Sequence, residues 1–91
     1  MKRNKDYIYY ILKEIEDDYS DEVTFKRTFQ KWLDVEPRSK DECKEFILSN
    51  DLLLAEGFVS ARNLTVEGSA RVGVQCITWK GYDLLEQLRG Q

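Results

Sequence analysis

Apolar side chains recur at helical spacing in the opening stretch. Ile8, Ile11, Leu12, Ile15 and Tyr19 share one face of a helix running from about Lys5 to Tyr19. Asn4 stands where an N-cap is needed. Asp17, Asp18, Ser20 and Asp21 then make a polar break. In "VTFKRTFQKWL" two periods compete. Phe25, Phe29, Trp32 and Leu33 form a helical stripe, whereas Val23, Phe25, Arg27 and Phe29 alternate as in a strand. The helical reading is favoured, and a strand over residues 23–35 stays the alternative. Pro37 pushes Glu36 out of helical geometry, so "DVEPRS" is a turn.

"SKDE" at 39–42 is a capping-box sequence and opens a long helix with Cys43, Phe46, Ile47, Leu53 and Leu54 on its apolar stripe. Gly57 supplies the left-handed position that ends it. Two β-prone arms follow, on either side of the turn signal Glu67-Gly68-Ser69, and Val72, Val74 and Cys76 alternate along the second. This predicts an antiparallel hairpin. Thr78 caps a last helix whose stripe is Gly81, Leu84, Leu85 and Leu88. A glycine inside a helix costs roughly 0.5–1 kcal/mol relative to alanine. Its place on the buried stripe predicts that the helix backbone there approaches a neighbouring element closely.

Composition narrows the class. The chain has 91 residues, 42% apolar and 34% charged, with one proline, five glycines and no histidine. That is one ordinary globular domain, 1–91, with no repeat, linker or low-complexity stretch. No run approaches the roughly 20 apolar residues of a membrane span. The basic start followed by Tyr7–Leu12 is too short for a signal peptide and runs at once into Lys13, Glu14 and Glu16. Cys43 and Cys76 match no disulfide framework. A reduced, cytoplasmic protein is expected.

No chemistry of catalysis is expected. There is no histidine for general-base work, no nucleophile or redox cysteine motif and no phosphate-cradling glycine loop. Glu14, Glu16, Asp17 and Asp18 form a solvated face. No cofactor and no metal are expected, since a zinc site without histidine would need an unusual ligand set.

The element order is helix, helix, helix, two-stranded ribbon, helix. It predicts an α+β winged helix-turn-helix, with three helices, a two-stranded β-wing and a C-terminal helix. "LLLAEGFV" resembles the end of the recognition helix in winged-helix regulators. "ITWKGYDLL" resembles the Leu-Thr-x-x-Gly-x-x-Leu-Leu pattern that follows their wing. More narrowly, "MKRNKDYIYYILKEIE" and "ITWKGYDLLEQLR" resemble the two ends of a family of small bacterial and phage proteins, domain of unknown function 2513. The resemblance covers both ends and the Gly57 junction but not residues 20–38. Tyr82 stands where that family has a histidine. The family carries no established activity, so the resemblance implies a fold.

In such folds the third helix enters the major groove and the wing touches the backbone. Here residues 39–57 set only Lys40 and Lys44 against Asp41, Glu42, Glu45, Asp51 and Glu56. Positive charge lies elsewhere. Lys2 and Arg3 form a basic arm with Lys5, Lys26, Arg27, Lys31 and Arg38 cluster around the second helix, and Arg62 and Arg71 lie on the ribbon. These are the candidate contacts to double-stranded DNA, weighed against ordinary solubilising charge. The net charge of −3 argues against strongly electrostatic binding.

Tyr7, Tyr10, Trp79 and Tyr82, on the first and last helices, are the candidate interface of a weak homodimer or of a contact with another protein. The resemblance implies such a dimer contact too. The expected function is thus a small DNA-associated winged-helix regulator of phage type, acting as a dimer. The alternative is an interaction module of the same fold that does not bind DNA, and no membrane partner is expected.

Overall fold

A computed structural model describes residues 4–17, 23–66 and 70–90, with 62–66 and 70–73 described as backbone. The elements are α1 (Lys5–Asp17), α2 (Phe25–Val35), α3 (Lys40–Ala55), β1 (Val59–Val66), β2 (Ala70–Ile77) and α4 (Trp79–Arg89). The two strands pair antiparallel, Val59 opposite Ile77 and Val66 opposite Ala70. The chain is therefore α+β, four helices and one two-stranded sheet, an order compatible with a small winged-helix-like fold. Residues 23–35 resolve as helix from Phe25 onward. The expected end of α1 at Tyr19 and the turn Glu67-Gly68-Ser69 lie outside the described residues.

Each helix starts where a side chain satisfies its first amides. Asn4 Oδ1 accepts from Tyr7 N at 3.0 Å, and Thr24 Oγ1 from Arg27 N at 3.2 Å. Ser39 and Glu42 form the reciprocal box, at 3.1 and 3.2 Å. Thr78 Oγ1 accepts from Gly81 N at 3.1 Å. α3 ends in a Schellman arrangement. Gly57 has φ of +79°, its N–H donates to Leu54 O at 3.3 Å, and Phe58 N–H donates to Leu53 O at 3.0 Å.

The junction of α3, β1 and α4 is closed around three carbonyls. Lys80 Nζ donates to Glu56 O at 2.8 Å and lies 4.6 Å above the Phe58 ring. Thr78 Oγ1 is 2.7 Å from Gly57 O and 3.0 Å from Phe58 O. Thr78 N–H also donates to Phe58 O, at 3.2 Å. Gly81 is buried against this same carbonyl. The close approach expected at that glycine is thus made to the backbone at the start of the ribbon.

Ile8, Ile11, Leu12 and Ile15 of α1 fill the core with Trp32, Phe46, Leu53, Val59, Leu84 and Leu85. Phe46 lies at its centre. Its ring stacks on Trp32 at 4.2 Å and meets Phe25, Phe29 and Tyr7 at 5.8, 5.8 and 5.5 Å. The α3 stripe differs from the expected one. Ile47 is exposed and Leu54 half-buried, while Ser49 and Asn50 are buried between Phe46 and Leu53.

The buried polar pair has its own logic. Gln75 Nε2 donates to Asn50 Oδ1 at 3.0 Å, and Gln75 N–H donates to Val23 O at 2.7 Å. One glutamine thereby ties β2 to α3 and to the segment entering α2. Gln75 Oε1 is buried with no partner among the described residues. Asn50→Ala strands the rest of the Gln75 amide, which costs about 2 kcal/mol. An Asn50→Leu, Gln75→Met double variant removes both partners and recovers most of that loss. Urea denaturation of the three proteins checks this. Equal losses in the single and double variants would refute it.

Candidate nucleic-acid interface

The basic side chains expected to meet DNA fall in different environments. Thr24 caps α2, so Lys26 and Arg27 emerge in its first turn on the exposed side, with Lys31 one turn beyond Arg27. They line a shallow groove with Thr24, Gln30 and Asp34. Lys31 Nζ pairs with Glu14 Oε2 at 3.2 Å, and Gln30 Nε2 donates to Asp34 Oδ1 at 2.9 Å. Two carboxylates therefore sit in or beside the basic patch.

Arg38 is drawn inward and does not belong to that patch. Its side chain is only 11% exposed and its guanidinium lies 4.3 Å over the Trp32 ring. It donates to Trp32 O at 3.3 Å and pairs with Glu36 at 2.8 Å and Glu42 at 3.9 Å. The planar cation stacks on the indole while Glu36, Glu42 and the Trp32 carbonyl meet its two terminal nitrogens, and Nε is buried with no partner among the described residues. Arg38 closes the core at the α2–α3 turn, and its charge is already met by Glu36 and Glu42.

Arg62 stands opposite Val74 and Arg71 opposite Thr65 in the ribbon ladder. Lys2 and Arg3 lie outside the described residues. The exposed positions of α3 and its cap carry Lys40 and Lys44 against Asp41, Glu45, Asp51 and Glu56, and the apolar Ile47 is among them. Glu42 is taken by Arg38.

The rings expected at an interface also divide. Tyr7 is half-buried, edge-on to Trp32 at 5.3 Å and to Phe46 at 5.5 Å. Tyr10 is half-buried 6.1 Å from Phe46. Burial raises the hydroxyl pKa of both, helped by Glu42 and Glu45 at Tyr7 and by Glu14 at Tyr10. These two rings edge the core. Trp79 and Tyr82 do not, being 90% and 46% exposed at the start of α4. α1 and α4 do lie side by side, joined by an ion pair between Arg89 and Glu16.

Sequence reasoning missed the role of Lys80, whose partners are a carbonyl and a ring brought close only by the fold. It also missed the Asn50–Gln75 pair, 25 residues apart. Cys43 and Cys76 are free thiols, each half-buried. Among the described residues no three metal-ligating side chains converge, and no helix is long and apolar enough to cross a membrane.

No family model, curated protein or solved structure matches the chain.

Proposed function

We propose that the chain is a winged-helix module that recognises protein; the resemblance of its two ends to the small bacterial and phage family bears on the fold alone. The observation that carries this reading is the solvent side of α3. In a helix-turn-helix reader that surface meets phosphate and base edges. Here four exposed carboxylates outnumber two lysines, so the approach to a polyanion is repelled. The inward commitment of Arg38 and the Lys31–Glu14 pair remove further positive charge from the neighbouring surface. The exposed Trp79 and Tyr82 supply the amphipathic rings that protein interfaces favour.

A second reading, a DNA-associated regulator, is favoured by Lys26 and Arg27 side by side on α2. A fluorescence titration of random-sequence duplex at low salt separates the two. The protein-recognition reading expects no salt-sensitive binding in the range of about 10⁻⁴–10⁻⁶ M where duplex binders associate non-specifically. Binding that weakens steeply with salt would overturn it. The second reading would then gain support if Lys26→Ala, Arg27→Ala and Lys31→Ala each flatten the log–log salt slope by about one.

A further inference from the structure

Two surfaces of opposite character stand on different helices. The first is a hollow against the first half of α3. Cys43, Ile47 and Leu48 form its apolar floor, and Arg38, Lys40 and Lys44 surround it. Lys40 and Lys44 are one turn apart, exposed, and make no ion pair among the described residues. Ile47 is 39% exposed, a β-branched apolar side chain left at the surface.

The second surface is the outward face of α4. Trp79, Tyr82, Asp83 and Glu86 stand at i, i+3, i+4 and i+7, on one stripe opposite the buried Gly81, Leu84 and Leu85. All four are exposed. Asp83 makes no ion pair among the described residues, and Glu86 reaches only the exposed Arg89, at 3.2 Å. The exposed side of α3 is negative as a whole, but at the hollow itself Arg38 is met by Glu36 and Glu42 and the charges left at the edge are Lys40 and Lys44, whereas the α4 face is aromatic with a negative flank.

We propose that the α4 face of one copy of this chain docks in the α3 hollow of another. The Trp79 ring covers Ile47 and Leu48, and Asp83 and Glu86 meet Lys44 and Lys40. A buried indole provides the largest apolar area of any side chain and the usual anchor of a small interface. The rim pairs add little energy singly but fix the orientation and the choice of partner. The contact joins two different patches, α3 on one copy and α4 on the other, whereas the rings expected from sequence to form the interface lie on α1 and α4. It deepens the protein-recognition reading by naming the partner as a second copy. One anchor ring and two rim pairs give a weak, concentration-dependent association.

Sedimentation velocity across a concentration series tests it, with two charge-reversed variants. Lys40→Glu/Lys44→Glu makes the hollow negative, and Asp83→Lys/Glu86→Lys makes the α4 face positive. All four positions are exposed, and far-UV circular dichroism checks that the fold is kept. Alone, each variant sets like charges against each other and weakens association by roughly tenfold or more. Mixed in equal amounts, they place opposite charges at every such contact and associate again. Trp79→Ala abolishes association in the parent.

A parent that stays monomeric at the highest concentration overturns the proposal. So does a Lys40→Glu/Lys44→Glu variant that associates as the parent does, because that outcome assigns the contact to α4 alone. So does a mixture that fails to recover. Duplex binding plays no part in this readout. Lost association without duplex binding removes this contact only, whereas duplex binding removes the reading beneath it.

Discussion

Gly81→Ala is expected to lower the melting temperature by about 15 °C, although alanine is the better helix former. A Cβ built at Gly81 would lie 2.0 Å from Phe58 O, 2.7 Å from Ile77 Cγ2 and 3.0 Å from the Phe58 carbonyl carbon. The first obstacle is backbone, and it is held. Phe58 O already accepts from Thr78 N–H, Thr78 Oγ1 lies 3.0 Å away, and Phe58 N–H is fixed by Leu53 O. To admit a methyl group, α4 must move away from the start of β1. That loosens the Thr78 cap and the Lys80 bridge to Glu56 O. Overpacking of a close contact costs about 1–3 kcal/mol or more, and this contact belongs at the upper end. The propensity gain of about 1 kcal/mol offsets only part. A net loss of about 2–3 kcal/mol in a domain this size shifts the midpoint by the amount stated. Gly90→Ala is the control. A Cβ there meets nothing closer than 3.7 Å, so its midpoint stays within a few degrees of the parent. Thermal unfolding followed at 222 nm compares the three proteins. An unchanged midpoint in Gly81→Ala would mean that α4 can retreat without loss.

The parts of this fold legible in sequence are those fixed by local chemistry. Asn4, Ser39 with Glu42, Gly57 and Thr78 act within a few residues of themselves, and each sits where its spacing to the next apolar stripe predicts. Gly81 was legible for a related reason, since a glycine on a buried stripe must be making room for something. What it makes room for, the Phe58 carbonyl, was not. The α3 stripe misled because apolar residues alone were counted. Ser49 returns its hydroxyl to Glu45 O at 2.8 Å and Asn50 pairs with Gln75, so two polar residues occupy the buried arc and Ile47 is turned outward. The candidate site suffered most. A basic residue looks the same in sequence whether it faces solvent, as Lys26 does, or stacks on an indole, as Arg38 does. Tyr7 and Tyr10 looked surplus to one helix face, yet Phe46 and Trp32 come from other helices to cover them.

Phe46→Ala is expected to cause the largest loss of stability of any change considered. Phe46 is fully buried, and α1 and α2 both pack rings onto it. Trp32 stacks at an interplanar angle of 12°, Phe25 and Phe29 lie nearly parallel at 25° and 22°, and Tyr7 and Tyr10 present their edges at 67° and 65°. Removing the ring deletes its own burial and leaves five aromatic neighbours around a void. Such rigid rings cannot collapse into the space without moving their helices. Phenylalanine-to-alanine changes in cores cost about 3–5 kcal/mol, and this site belongs near the top of that range. A small domain has only about 5–15 kcal/mol in total, so the variant is marginal at room temperature. Phe46→Leu keeps an apolar occupant and loses clearly less. Urea denaturation gives the free energies. Near-ultraviolet circular dichroism reports the rings directly, and it collapses in Phe46→Ala even where far-ultraviolet signal survives. The Arg38 stack on Trp32 loosens with it, because the indole loses the ring on which it stacks. A loss under about 2 kcal/mol with the near-ultraviolet bands intact would show that the remaining rings close the gap, and would displace Phe46 from the centre of the core.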